Sequence, residues 1–163
     1  MASESQITYK PIGVIHTPFK AVEDMPIQPQ GSSGVRGTLV LYPDYVAGLT
    51  DLDGFSHIYV IFHLHKARPY RLKVTPFLDT ALRGLFATRA PSRPNPIGLS
   101  IVRLVEVKEN VLTIENVDML DGTPLLDIKP YVPFFDDQEA VRIGWLTRFR
   151  NQANTARTDD RFK

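Results

Sequence analysis

Residues 55–65 read Phe-Ser-His-Ile-Tyr-Val-Ile-Phe-His-Leu-His, and this stretch decides the fold class. It is β-branched and aromatic along its length, which suits a pleated, half-buried surface. Alternation puts Ile58, Val60, Phe62 and Leu64 on one face. His57, Tyr59, Ile61, His63 and His65 take the other. Outward from this strand, residues 12–16, 35–42, 70–75, 99–107, 111–117 and 124–132 read as further strands. Glu109-Asn110 marks a hairpin between two of them. Pro43 opens a short helix through Leu49, and Asp51-Leu52-Asp53-Gly54 makes a turn. Residues 20–34 hold Pro26, Pro29, Gly31 and Gly34, which is loop chemistry.

Helical periodicity is weak until residues 138–152, where Val141, Trp145 and Phe149 fall at i, i+4 and i+8 around Gly144. Short strands punctuated by thirteen prolines and ten glycines predict a mainly β fold, a barrel or sandwich with short helices. A doubly wound α/β fold needs long helices between strands, and the sequence has none. The expected organisation is a disordered N-terminus at 1–6, one small mainly β domain at 7–137, and a C-terminal helix with a basic tail at 138–163.

The chain has 163 residues, 43% hydrophobic and 23% charged, which excludes disordered and fibrous classes and fits one domain. Without cysteine there are no disulfides and no thiolate sites. No apolar run approaches the ~20 residues that span a bilayer. The polar start, Met1 to Gln6, lacks a signal-peptide core, so a cytoplasmic protein without membrane contact is expected.

The formal net charge of +1 argues by itself against nucleic acid, but the total hides blocks. Residues 66–103 carry Lys66, Arg68, Arg71, Lys73, Arg83, Arg89, Arg93 and Arg103 against Asp79 alone, a balance of +7. Residues 104–140 balance to −7. Either the basic block is a localised anion-binding surface, or it pairs with the acidic one in space.

Within the basic block stands Ala87-Thr88-Arg89-Ala90-Pro91-Ser92-Arg93-Pro94-Asn95-Pro96-Ile97-Gly98-Leu99-Ser100. Three prolines in six residues each fix one φ and restrain the residue before. The result is a stiff, extended loop carrying two guanidinium groups, and such a loop loses little entropy on binding a ligand. A second segment runs Asp121-Gly122-Thr123-Pro124-Leu125-Leu126-Asp127-Ile128-Lys129-Pro130-Tyr131. After the Asp-Gly turn, Leu125, Asp127 and Lys129 are expected on one face of an extended chain. A carboxylate beside an ammonium suits a zwitterionic ligand, or is a plain surface ion pair. His63 and His65 share a strand face at a spacing that can chelate zinc, yet nothing else matches a metal motif, so no metal is expected. His65 is the better candidate for ligand contact or proton handling. The glycine-rich phosphate loops and the Gly-x-Ser-x-Gly elbow are absent from the sequence.

Phe86-Ala87-Thr88-Arg89 followed by Arg93-Pro94-Asn95-Pro96-Ile97-Gly98 resembles the signature of the TsaA-like, TrmO-type family. Ile12 to Phe19, Phe55 to His65, and Asp121 to Tyr131 agree with it in order and spacing, so the resemblance spans roughly 7–135. It implies a single β-barrel that uses S-adenosylmethionine as methyl donor. It further implies N6-methylation of threonylcarbamoyl-adenosine next to the anticodon in tRNA, by a homodimer with the cofactor near the subunit interface. A non-catalytic barrel binding RNA or a partner is the alternative. Carried over by position, cofactor contacts fall on Pro26, Ile27 and Gln28; on His65 and Lys66; on Arg89 and Leu99; and on Asp121, Gly122, Thr123 and Pro124. Two departures are visible: Ile27 stands where some relatives have a basic residue, and the extra C-terminal domain of longer bacterial members is not expected here.

In that reading, Arg89 or Lys129 meets the cofactor carboxylate and Asp121 or Asp127 its ammonium. Leu99 and Leu125 wall the adenine. Asp127 or His65 is the general base for the acceptor nitrogen. Arg68, Arg71 and Arg93 grip RNA phosphates, and Tyr131 stacks on an unpaired base.

Overall fold

The computed structural model describes residues 5–26 and 29–150. Eight strands appear in chain order: β1 (Gly13–His16), β2 (Arg36–Leu41), β3 (His57–His63), β4 (Lys73–Val74), β5 (Arg83–Gly84), β6 (Ile97–Lys108), β7 (Val111–Glu115) and β8 (Thr123–Pro130). Six of them close into a barrel in the order β1-β2-β7-β6-β3-β8, and β8 pairs back onto β1. Every pairing is antiparallel. Closure removes the free edges that an open sheet would expose.

The alternation of β3 is realised as expected. Ile58, Val60 and Phe62 point inward at 0%, 0% and 5% exposure. They pack with Ile15, Leu39, Val102, Leu112, Ile114 and Leu125 in one core. The hairpin at Glu109-Asn110 also forms; Lys108 pairs with Val111, and Glu109 takes φ 52 to turn the chain.

Two irregularities reset the faces. The register between β6 and β7 shifts between Leu104 and Glu106, and that between β3 and β8 shifts between Ile61 and Phe62. In the second, Phe62 pairs with Leu125 while Ile61 pairs with Asp127, so Leu126 is an extra residue. This corrects the expectation that Leu125, Asp127 and Lys129 share a face. Leu125 is fully buried, whereas Asp127 and Lys129 turn outward.

Residues 64–96 leave the barrel between β3 and β6. The strand expected at 70–75 shrinks to β4, which pairs with β5, and Val74, Leu85 and Ala90 form a small core of their own. The expected helix at 138–152 is not realised as an α-helix. A short α-helix, α1 (Pro133–Asp136), precedes it, and a single 3-10 turn occupies Gly144–Phe149. Ala140 at φ 52 and Gly144 at φ 56 sit in the left-handed region and interrupt any right-handed helix there. The tail from 151 lies outside the described residues. No helix among the described residues is long and apolar enough to cross a membrane.

Candidate functional site

The antiparallel register decides which loops meet. His16 pairs with Thr38, Ile15 with Thr123, His63 with Ile97, and Arg36 with Glu115. The C-terminal ends of β1, β3 and β7 therefore share one rim of the barrel with the N-terminal ends of β2, β6 and β8. The segments singled out for the cofactor lie at this rim, except Lys129, which sits toward the other end of β8. Pro26 lies in the β1–β2 connection, His65 and Lys66 follow β3, Arg89 precedes β6, Asp121 and Gly122 precede β8, and Thr123 and Pro124 begin it. Ile27 and Gln28 belong to the same connection and lie outside the described residues.

The proline-rich loop holds itself in shape. Thr88 Oγ1 donates to the Leu85 carbonyl at 2.7 Å and accepts from Ala90 N at 3.3 Å. Arg93 Nη1 donates to the carbonyls of Thr88 at 3.0 Å and Ala90 at 3.2 Å, and its guanidinium lies 5.7 Å from the Phe86 ring centre. Arg93 thus braces the loop, a task that competes with gripping phosphate. Arg89 on the same loop is exposed. The loop exit is tied to β3 by Leu64 N donating to the Pro96 carbonyl at 2.8 Å. Where the loop enters β6, Gly98 faces Phe62, whose ring fills the space a Cβ would need.

The Asp-Gly turn is built from both neighbours. Gly122 takes φ 78, and Thr123 Oγ1 donates to the Leu120 carbonyl at 2.6 Å. Asp121 accepts from Thr17 N at 3.0 Å and from Lys20 Nζ at 2.7 Å, with His16 Nδ1 at 3.3 Å. The Lys20 ammonium, ahead of the Thr17 amide, holds the Asp121 carboxyl below its usual range. With Arg36, Thr38 and Thr113 these groups line a shallow cleft of about 390 Å³. A ligand ammonium reaching Asp121 would have to share it with Lys20.

His65 is half-buried, and burial, then the charge of Lys66 and His63, lower its pKa. A lowered imidazole is neutral near pH 7 and can accept a proton. Among the described residues no group of three His, Asp or Glu side chains could hold a metal ion.

On the outer wall, cross-strand rows run Leu99–Ile61–Asp127 and Ile101–Tyr59–Lys129. Leu99, Asp127 and Lys129 are therefore brought onto one face, and Lys129 Nζ pairs with Asp127 Oδ2 at 2.9 Å. Ile97, Leu99 and Ile101 expose 43%, 57% and 38% of their surface there, an apolar stripe beside the ion pair. Leu125, expected to wall the adenine, points into the core instead. Tyr131 follows the far end of β8, about 25 Å from the rim at the usual strand rise. It packs edge-on against Tyr59 and His57 and donates its hydroxyl to Asp137 at 2.6 Å. Within one copy of the chain it does not join the rim. Arg68 and Arg71 are both exposed on the excursion.

The basic and acidic blocks do meet. Arg103 of the basic block pairs with Glu115 of the acidic one, which Arg36 from β2 also holds. Sequence reasoning missed a second contact point, Asp118, in the loop that follows β7. Its Oδ1 accepts from the inward-facing Ser100 Oγ at 2.6 Å. Burial pushes its carboxyl up to about 7, against the Ser100 hydrogen bond and the charge of Arg89. The available signal was a lone carboxylate among Val117, Met119 and Leu120, all of them buried. Because the folded chain holds this proton more tightly than the unfolded one, its stabilising contribution is present below about pH 4 and lost as pH rises through about 7. Asp118→Asn keeps an acceptor for Ser100 and cannot titrate. Thermal melts should show the variant gaining on the order of 2 kcal/mol over the native chain at about pH 8, and little at about pH 4. A constant difference across that range would remove Asp118 as the titrating group.

The tRNA-methyltransferase O N-terminal domain family matches residues 14–137. The chain belongs to this family. A "Probable S-adenosyl-L-methionine-binding protein" of Pyrococcus abyssi is 54% identical over 156 residues, covering 96% of this chain and 85% of that protein. The "tRNA (adenine(37)-N6)-methyltransferase" of Escherichia coli is 39% identical over 140 residues, covering 80% of this chain and 60% of that protein. A crystal structure of TrmO from Pseudomonas aeruginosa superimposes with a TM-score of 0.73 at 38% identity. It covers 87% of this chain, which spans 62% of that one. The resemblance carried by the Arg-Pro-Asn-Pro-Ile-Gly string is thereby established, and the closed barrel is the tRNA-methyltransferase O fold.

Proposed function

We propose that the chain binds S-adenosylmethionine at the barrel rim and transfers its methyl group to N6 of the adenosine next to the anticodon in tRNA, an adenosine already bearing a threonylcarbamoyl group. The observation that carries this reading is the convergence of Pro26, His65, Lys66, Arg89 and Asp121 to Pro124 on one rim, in a chain of the tRNA-methyltransferase O family. The donor set fits the cofactor's amino-acid end. Arg89 on its braced loop takes the carboxylate through charge-assisted hydrogen bonds. Asp121, held ionised by Lys20, offers a counter-charge to the ammonium. When bound, S-adenosylmethionine supplies a methyl group activated on a sulfonium. The protein's own work is to align the acceptor and keep water out.

Asp127 takes the proton from the acceptor nitrogen. Its side chain is 46% exposed, shares the outer face with Leu99, and stands beside the Lys129 ammonium. His65 contacts the cofactor in neutral form. Arg68 and Arg71 meet RNA phosphates, so binding should weaken with salt. The apolar stripe of Ile97, Leu99 and Ile101 is where a second copy covers the face, which makes a homodimer with Leu99 near the joint.

A second reading is supported by the name of the Pyrococcus abyssi relative, which specifies binding and no transfer. Nucleoside mass spectrometry separates the two. Incubation with the methyl donor should add one methyl group to threonylcarbamoyl-adenosine in threonine tRNA. Methylation of tRNA that lacks the threonylcarbamoyl group, at an equal rate, would overturn the assigned acceptor.

A further inference from the structure

We propose that Trp145 is a positioning residue for the cofactor loop, acting on Arg89 through the carbonyl of Ala87. This rests on the reading of the rim as a cofactor site. The indole Nε1 donates to Ala87 O at 2.8 Å, two residues before Arg89. The other face of the clasp is Arg83, whose guanidinium lies 5.4 Å from the Trp145 ring centre. Arg83 is itself fixed, since its Nε and Nη2 donate to Asp79 Oδ2 at 2.9 and 2.6 Å. Asp79, Arg83, Trp145 and Ala87 therefore form a chain of contacts ending at the start of the stiff loop.

The segment that carries Trp145 has little else to do in the fold. No residue of the Gly144–Phe149 turn is buried, and Val141 and Ile143 are 63% and 42% exposed. Trp145 packs edge-on against Phe149 at 6.1 Å, and Thr147 Oγ1 donates to the Gly144 carbonyl, contacts internal to the turn. A segment that buries so little contributes little to barrel stability. Among the described residues its one long-range hydrogen bond goes to the loop that presents Arg89, where the prolines restrain the exit and Thr88, bonded to the Leu85 carbonyl, turns the entrance. Those contacts are internal to the loop and its own 3-10 turn; indole donation and the Arg83 contact add a restraint at the entrance from outside the loop. A loop ordered before the ligand arrives gives up less entropy on binding.

The test uses the full chain and two variants. Trp145→Phe keeps a ring over Arg83 and removes the N–H; Trp145→Ala removes both. Calorimetry with S-adenosylmethionine should show Kd raised about fivefold for Phe and about tenfold or more for Ala, the scale of one hydrogen bond plus a cation–ring contact. Turnover at saturating donor should stay within about twofold of native, because no group touching the acceptor is altered. Melting temperatures should move by no more than about 2 °C. Hydrogen exchange in the ligand-free protein adds a readout independent of the cofactor. Amides 86–90 should exchange faster in Trp145→Ala, while those of β3 and β6 do not change. Unchanged exchange at 86–90 overturns the clasp, as does a fall in melting temperature with turnover lost in proportion. If the native chain fails to bind the donor, the rim reading fails, and the exchange result still decides the clasp.

Discussion

Gly98→Ala should be strongly destabilising, with about 3 kcal/mol of stability lost and a melting temperature lowered by roughly 10 °C. A Cβ at this position would stand 2.1 Å from Phe62 Cε2, 2.4 Å from Cζ and 2.6 Å from Cδ2. The ring has nowhere to go, because Phe62 is 5% exposed and packed into the barrel core. Relief would have to come from β6 itself, yet Gly98 is paired with Phe62 across the strand and the residues on either side are held in the same ladder. The glycine in the Arg-Pro-Asn-Pro-Ile-Gly string is thus explained by packing, since its partner strand brings an aromatic ring across it. Pairing Gly98→Ala with Phe62→Leu should recover part of the loss, so the double variant costs less than the two singles combined. A Gly98→Ala melt within about 2 °C of native would mean that the loop and strand yield far more readily than the packing implies.

Arg89→Ala is expected to have the opposite profile, with folding intact and donor binding lost. Arg89 is exposed and braces nothing in its loop; Thr88 and Arg93 do that. Its removal should therefore leave the melting temperature within about 2 °C. Losing a charge-assisted contact to a carboxylate should raise the Kd for S-adenosylmethionine at least ~30-fold by calorimetry. Arg89→Lys should recover only part of this, because an ammonium cannot present the paired N–H groups of a guanidinium. An Arg89→Ala affinity within about twofold of native would take Arg89 out of the site.

Much of the fold was legible because it rests on local periodicity. Ile58, Val60 and Phe62 are inside because alternation put them there, and Glu109-Asn110 turns the chain where two apolar runs meet. A barrel or sandwich was available from strand count and punctuation, the barrel itself from the family resemblance, and the rim from the order of the motifs once the strands were paired. What was not legible depended on single backbone events or on distant partners. One extra residue at Leu126 sends Leu125 inward and Asp127 outward, and no pattern in Leu125-Leu126-Asp127 announces it. The apparent helix at 138–152 had the right spacing, but Ala140 and Gly144 adopt left-handed φ values. Tyr131 stands close to Asp121 in sequence, yet an extended strand carries it to the other end of the barrel. Asp118 gained its raised pKa from burial, against the Ser100 hydrogen bond, and neither is visible along the chain.

Methyl transfer is the most direct test of the central claim that the rim is a donor site serving tRNA. Native protein, S-adenosylmethionine with a labelled methyl group, and threonine tRNA are combined, and label is located by nuclease digestion. Label should appear at the adenosine next to the anticodon and disappear with Arg89→Ala. Absence of label from tRNA with the native chain, or label that persists undiminished in the Arg89→Ala variant, would contradict the account.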